Sequence, residues 1–351
     1  MTKQSQIKPY LFDYTLRELE DIVTGFGAPK FRAKQIYEWL YVKNASSFEE
    51  MSSLPKEFRE KLKNEIEITH LIPKIDLRST DKWTRKILFN LPDDSQIETV
   101  LMGYDKRRTV CISTQAGCGL GCTFCATGQA GLQRNITAGE IVEQVMFFER
   151  VLMQKDDKLT NVVFMGMGEP FANYKQVMKA AAILTDDKGF NFGARRITIS
   201  TVGIVPEIKK FMGEKQQINL AVSLHAATDK LRDTMVPINK KYPLRELIPA
   251  CTEYTETTKR RLSFEWALID DVNDTEVQAK ALVNLIKGTL CHVNLIPLNK
   301  TMGYKGNESN QKRIKNFRDI LDKAGITNTL RLRRGIDINA GCGQLRQETN
   351  S

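Results

Sequence analysis

Residues 111–128 read Cys111-Ile-Ser-Thr-Gln-Ala-Gly-Cys118-Gly-Leu-Gly-Cys122-Thr-Phe-Cys125-Ala-Thr-Gly, so four of the seven cysteines fall within fifteen residues. The spacing Cys118-x3-Cys122-x2-Cys125 puts three thiols on one short loop, and Gly117, Gly119 and Gly121 free its backbone to wrap around a compact object. Structural zinc asks for a closed set of four ligands, usually two separated C-x-x-C pairs or histidines at short spacing, and neither occurs here. A [4Fe–4S] cluster normally takes four cysteines, and three would leave one iron open to a small molecule. The loop therefore reads as the site of one [4Fe–4S] cluster with Cys118, Cys122 and Cys125 as metal ligands. The plainer alternative is a group of buried structural thiols.

The text on either side of this loop changes character twice. From Tyr14 to about Ile68 it is helical, with Leu16, Leu19, Ile22 and Val23 on one face, a Gly25-Phe-Gly27-Ala-Pro29 break, then Ile36, Trp39 and Leu40 on the next face. A third helix follows Leu54-Pro55. Lys30, Arg32 and Lys34 after the break suit either a phosphate backbone or a solvated helix start. Between about Ile75 and Leu101, Thr84–Leu91 and Gln96–Met102 read as two strands of a hairpin around the turn Pro92-Asp-Asp-Ser95. Glu98 lies in the second strand, facing either solvent or a cavity, and the pattern favours solvent.

Beyond Thr109 strands and helices alternate, as in a βα barrel whose chemistry sits at the C-terminal ends of its strands. Six parallel strands are expected: Val110–Ser113, Asn161–Met165, Arg196–Gly203, Ile218–His225, Leu262–Ile269 and Val293–Asn299. Thr137-Ala-Gly-Glu140 is a capping-box signature opening a helix from Ile141 to Val151. Nearly every strand ends on a residue placed to offer a polar side chain or backbone group: Gly168 and Glu169, Ser200, Ser223, Leu224 and His225, Asn299. His225 alone would be equally at home as a structural histidine. Cys342 stands between Gly341 and Gly343 in a flexible loop, where Arg331, Arg333 and Arg334 would favour its thiolate. Cys251 and Cys291 lie in apolar surroundings and belong to the core.

Taken together, Gln115–Gly128, Phe164-Met-Gly-Met-Gly-Glu-Pro170, Ser200-Thr-Val-Gly203, Ser223-Leu-His225, His292–Asn299 and Asp337–Leu345 resemble the RlmN family of radical S-adenosylmethionine (SAM) RNA methyltransferases, over nearly the whole chain. The resemblance implies an α/β fold, a partial (βα)6 radical-SAM barrel. The implied division is an N-terminal helical accessory unit at 1–75 for RNA positioning, a β-hairpin extension at 76–103, the core barrel at 104–337 and a C-terminal loop at 338–351. It implies methylation of carbon 2 of an adenosine in 23S rRNA, and of the adenosine 3′ of the anticodon in tRNA, with two SAM consumed per methylation. Gly168, Glu169, Ser200, Ser223, Leu224, His225 and Asn299 are the implied SAM contacts. Cys342 is the implied S-methylcysteine, Cys111 its transient disulfide partner and Glu98 the proton acceptor. An electron donor of the flavodoxin or ferredoxin type, and a monomer, are also implied.

Two readings stay open beside this one. A Cfr-type relative would methylate C8 of the same rRNA adenosine, although Gln115-Ala-Gly-Cys118 and Gly168-Glu169-Pro170 lean toward C2. A non-catalytic iron–sulfur or zinc RNA-binding module would leave Glu169 and Cys342 without a role. Gly341 departs from the commoner alanine before the methyl-carrying cysteine. The formal charge of +10 gives a positive field suited to a polyanion such as RNA. The N-terminus lacks the apolar core of a signal peptide and no run approaches bilayer-spanning length, so no membrane association and a cytoplasmic location are expected. An odd, clustered set of cysteines also fits a reducing compartment.

Overall fold

The computed structural model describes residues 8–345; the first seven residues, read above for a signal peptide, and residues 346–351 of the C-terminal loop lie outside the described residues. Three helices come first: α1 (Leu16–Gly25), α2 (Phe31–Tyr41) and α3 (Lys56–Glu65). Thr15 and Glu18 cap α1 reciprocally, and Gly27, at φ 76°, turns the break before α2. The apolar faces read from the sequence are the buried ones, with Leu19, Val23, Ile36 and Leu40 inside. Each such aliphatic side chain contributes about 1.5–3 kcal/mol by leaving water.

The strands and helices that follow are β1 (Ile72–Arg78), β2 (Thr84–Asn90), β3 (Gln96–Tyr104), β4 (Arg107–Cys111), β5 (Gln115–Cys118), α4 (Ala126–Ala130), β6 (Gly131–Asn135), α5 (Ala138–Met153), β7 (Asn161–Phe164), α6 (Tyr174–Thr185), β8 (Ile197–Thr201), α7 (Val205–Met212), β9 (Asn219–Ser223), α8 (Asp229–Met235), α9 (Leu244–Thr258), β10 (Leu262–Leu268), α10 (Glu276–Leu285), β11 (Cys291–Pro297), α11 (Gln311–Lys323) and β12 (Asn328–Leu330). Ten of the strands form one mixed sheet in the order β1-β2-β3-β4-β7-β8-β9-β10-β11-β12. The six expected parallel strands are present, and β12 adds a seventh beside β11. The hairpin β2–β3 extends the same sheet antiparallel through β4, and β1 adds a further strand at its edge. Helix α5 starts at Ala138, earlier than read, because Thr137 and Glu140 cap it there.

No ladder joins β12 back to β1 among the described residues, so the barrel is open. The chain after β12 spans the opening with side-chain contacts instead: Arg334 pairs with Asp81 at 3.1 Å, Thr80 donates to Asp337 at 2.7 and 2.8 Å, and Lys86 Nζ donates to the Asn339 carbonyl at 3.2 Å. The C-terminal loop is thereby the lid of the barrel.

The helical unit docks on α5 and α6, where Lys179 donates to Glu18 and Tyr37 to Asp186. Tyr10 donates to Glu143, the Nα–H groups of His70 and Leu71 donate to the same carboxylate at 3.0 and 3.1 Å, and the Tyr10 and His70 rings stack at 3.7 Å. Gly139 is required at this seam, because a Cβ there would lie 2.5 Å from the Tyr10 ring. No described helix is long and apolar enough to cross a membrane.

Candidate active site

Cys111 ends β4 and faces the barrel interior; the chain then turns through Ser113 into the cysteine loop. Gln144, fully buried on α5, fixes that corner by accepting from Ser113 N at 2.8 Å and Thr99 Oγ1 at 2.7 Å and donating to the Ser113 carbonyl at 3.0 Å. The short hairpin β5–β6 inside the loop escaped sequence reading. It makes one glycine indispensable: Gly117 sits at φ 80°, and a Cβ there would lie 2.0 Å from the Gly131 carbonyl oxygen. Cys122 and Cys125 then line an inner cavity, with Cys118 at the end of β5 beside them. Phe124, Ala226, Met235, Val236 and Leu298 close an apolar shell around Cys122.

Burial pushes the Cys118 thiol up to about 11 and Cys122 higher still, and the neighbouring thiols and Glu169 add to this through like charge. A positive occupant beside Cys118 and Cys122 would take the place of their protons and favour the thiolates. Cysteine thiols are the residue type that ligates an iron–sulfur cluster. Among the described residues no group of three or more histidine, cysteine, aspartate or glutamate side chains is gathered so as to hold a metal ion.

The inner cavity is also lined by Gly168, Glu169, Ser200, Ser223, His225 and Asn299, each at a strand end as the sequence indicated. Gly168 sits at φ 99°, and a Cβ there would also stand 2.5 Å from Gln115, whose Oε1 accepts the Glu169 N–H at 2.8 Å. The Glu169 carboxylate accepts from Phe171 N at 3.0 Å and Val202 N at 2.9 Å, while burial lifts its pKa to about 7. A cation arriving in the cavity would return it to the ionised form. His225, at φ 60°, accepts the Ala267 N–H on Nδ1 at 3.0 Å, and burial together with the Arg232 charge lowers its pKa to about 3. It is a neutral imidazole whose Nε2 carries the remaining proton. Ser200 and Ser223 face one another at 3.5 Å between Oγ atoms.

Leu224 departs from the expected set. Its side chain is wholly in the core, its N–H is given to the Glu265 carbonyl at 3.0 Å, and its own carbonyl accepts from Arg232 Nε at 3.0 Å, so it is not brought to the cavity. Arg232, which the sequence reading missed, is the reason. It is fully buried on α8 and donates to the carbonyls of Val202 (2.6 Å), Ser223 (3.1 Å) and Leu224 and to Asn239 Oδ1 (2.8 Å), tying together the ends of β8 and β9.

The C-terminal loop is fixed rather than flexible. Ala126 N donates to the Gly343 carbonyl at 2.7 Å, Thr127 Oγ1 donates to the Leu345 carbonyl, Asn299 Nδ2 donates to the Cys342 carbonyl at 3.1 Å and Gln344 Nε2 donates to the Lys300 carbonyl at 3.0 Å. Gly341 leaves room for this: a Cβ there would stand 2.6 Å from Asn299 Nδ2. The Asn299 Oδ1 atom, by contrast, is buried without a partner and is free to receive a donor from the cavity. Cys342 therefore opens its side chain into the inner cavity on one side and, on the other, into an outer cavity lined by Cys111, Met102, Tyr104, Arg107, Arg331 and Arg334.

The two spare thiols are electrostatic neighbours. Burial, reinforced by Cys342, pushes Cys111 up to about 12; Cys342 is also raised by burial, although Arg331 hydrogen-bonds it and opposes the shift. Of the three arginines expected to favour the Cys342 thiolate, Arg331 is the one that acts on it, and burial outweighs its effect.

Glu98 does not face solvent either. It is 4% exposed, and its Oε1 pairs with the buried Lys86 Nζ at 2.7 Å. Register explains the orientation: Val100 lies opposite both Lys86 and Cys111, so Glu98, two residues earlier, shares the face of Cys111. Thr99 points the other way, to Gln144 on α5.

Comparison with known proteins covers the same segments. The family described as ribosomal RNA large subunit methyltransferase N-terminal domain matches residues 10–68, and the radical SAM superfamily matches residues 112–281. Over 336 residues the chain is 46% identical to the dual-specificity RNA methyltransferase RlmN 1 of Myxococcus xanthus (strain DK1622), covering 96% of this chain and 94% of that protein. It is 45% identical over 336 residues to a probable dual-specificity RNA methyltransferase RlmN of Dictyoglomus turgidum (strain DSM 6724 / Z-1310), covering 96% of each chain. Among solved structures, a radical SAM methyltransferase from Sphaerobacter thermophilus superposes with a TM-score of 0.95 at 48% identity, over 96% of this chain and 99% of that one.

Proposed function

The chain belongs to the RlmN family of radical-SAM RNA methyltransferases, and from that premise we propose that it methylates carbon 2 of an adenosine in 23S rRNA, and the adenosine 3′ of the anticodon in tRNA, with Cys342 as methyl carrier. The single observation that carries this reading is the position of Cys342 at the junction of two cavities, one reaching the cysteine loop and Glu169, the other reaching Cys111 and a cationic mouth. A thiol in that place can receive a group from one chamber and present it to the other.

In this reading Cys118, Cys122 and Cys125 hold the cluster, and Gly168, Glu169, Ser200, Ser223, His225 and Asn299 hold SAM. When bound, the pair supplies the methyl group for Cys342 Sγ and the one-electron chemistry that an unactivated C–H bond and an electron-poor ring carbon require. Glu169 is the carboxylate for the methionine ammonium, a charge-assisted contact. Asn299 Oδ1 and the Nε2–H of His225 complete the polar set with one acceptor and one donor.

The other residues would act after the carbon bridge between Cys342 and the adenine has formed and its unpaired electron has been given up to the one-electron acceptor that a bound cluster would supply. Glu98, oriented by its 2.7 Å pair with Lys86, takes the proton from C2. The Cys111 sulfur then attacks the Cys342 sulfur: the S–S bond forms, the Cys342 S–C bond breaks, and its electron pair stays with the carbon on the adenine, which takes up a proton to become methyl. A thiol reductant restores both cysteines, and a flavodoxin- or ferredoxin-type donor feeds the cluster. The helical unit at 10–68 is the second RNA-facing element of the proposal.

Substitution of the two cysteines tests the scheme. Cys342→Ala is expected to abolish methyl transfer while iron and sulfide content stay at the unmodified level; normal transfer by this variant would sink the carrier role. Cys111→Ala is expected to accumulate protein covalently attached to RNA, visible on a denaturing gel, and free turnover of product would refute its resolving role.

A further inference from the structure

The outer cavity opens onto an alternating array of guanidinium groups and aromatic rings. Arg107 lies 4.1 Å over the Tyr104 ring, Arg334 lies 5.2 Å over Tyr104 and 5.3 Å over Trp83, and Arg108 lies 6.0 Å over Trp83. Tyr104, Arg107 and Arg334 line the cavity that holds Cys111 and Cys342. At the far end, Trp83 and Arg108 line a separate groove with Arg78, Lys82, Arg85 and Lys155. The array therefore runs without a break from the thiols to a basic groove on the hairpin.

Its members are held in place. The Trp83 ring packs against Gly103, where a Cβ would come within 2.8 Å, and Gly103 N donates to the Trp83 carbonyl at 2.7 Å. Arg334 is fixed by Asp81 at 3.1 Å and Arg108 by Asp157 at 2.6 Å, so the acidic groups facing the array each hold one arginine. Arg107 is exposed, and its described side-chain contact is the Tyr104 ring. Arg107, laid on one ring, has one planar face covered while its other face and its N–H edge remain available; Arg334, against two rings, offers its N–H edge.

That combination suits unpaired nucleotides. Planar cations and rings accept bases by stacking whatever their sequence, the N–H edges reach phosphates, and a duplex keeps its bases out of reach. The geometry points to the array Arg107–Tyr104–Arg334–Trp83 as a stacking platform for the unpaired RNA nucleotides that flank the adenosine entering the outer cavity. This inference rests on the RNA reading above and names where the neighbouring nucleotides lie.

The discriminating variant is Arg107→Lys, which keeps the charge and removes the plane. We would measure fluorescence anisotropy of two fluorescein-labelled probes on the reconstituted protein: an RNA stem–loop with an unpaired purine-rich loop, and a blunt RNA duplex of the same stem. Arg107→Lys and Tyr104→Leu are expected to weaken stem–loop binding about five- to tenfold, with duplex binding and the salt dependence of both unchanged. Tyr104→Phe, which preserves the ring, is expected to bind like the unmodified chain, and equal melting temperatures check that the variants fold. Equal losses on both probes, or no loss on the stem–loop, would overturn the platform while leaving the RNA reading standing. Failure of the unmodified chain to bind either probe would overturn both.

Discussion

Replacing Arg232 with methionine tests how the strand ends at the cofactor cavity are held. Its guanidinium gives four hydrogen bonds, to the Val202, Ser223 and Leu224 carbonyls and to Asn239 Oδ1, at 2.6–3.1 Å. Bonds to a charged group contribute about 1.5 kcal/mol each at the low end, or about 6 kcal/mol for the set. Against this, burial pulls the arginine from an ordinary value of 12.5 down to about 10. At about 1.4 kcal/mol per pKa unit, that is a cost of about 3 kcal/mol for keeping the charge inside. The difference, about 3 kcal/mol, is the expected loss in Arg232→Met, and for a chain of 351 residues it corresponds to a fall in melting temperature of roughly 4 °C. Scanning calorimetry measures the loss, and hydrogen exchange locates it, with faster exchange expected at the amides of Val202 and Leu224. A variant that melts within about 1 °C of the unmodified chain would refute the accounting.

Three further outcomes are expected. Gly117→Ala combines a left-handed backbone with a Cβ 2.0 Å from the Gly131 carbonyl oxygen, so it is expected to lower iron and sulfide content per chain severely; normal cluster uptake would refute the turn as a requirement. Glu98→Gln is expected to slow product formation about 10²- to 10⁴-fold without changing cluster content, as measured by single-turnover assay. Burial lowers the pKa of His70, but the carboxylates of Glu140, Glu67 and Glu143 outweigh it and leave it raised. Its contribution to docking of the helical unit is therefore fully present below a free histidine's value of about 6.5 and is lost as pH rises through the higher folded value. Urea midpoints across that range should fall for the unmodified chain and stay flatter for His70→Asn.

What could be read from the sequence was what local spacing encodes. Three cysteines within eight residues, a capping box at Thr137 and Glu140, and polar residues after apolar strands are neighbours in the chain, so their grouping survives without knowledge of tertiary contacts. Glu98 failed that test for a physical reason. The alternation rule assumes one wet face, whereas β3 is covered by α5 on one side and by the C-terminal loop on the other, so a charged residue in it points inward to Lys86. Arg232 sits among Asp229, Lys230 and Asp233, where a charged helix face is the ordinary reading, and only the carbonyls left at the ends of β8 and β9 call it inside. Leu224 is a SAM contact only by the resemblance; alternation turns its side chain away from the cavity and into the core. The strands β1 and β12 were missed because one is an exposed edge and the other is three residues long.

The central claim is methyl transfer to C2. We would reconstitute the cluster without oxygen, supply SAM with a deuterated methyl group and a reductant, add a 23S rRNA fragment and unmodified tRNA separately, and analyse the digested adenosines by mass spectrometry. The account predicts deuterated methyl at C2 of adenosine in both RNAs. Label at C8, or no label from a protein with full iron content, would contradict it.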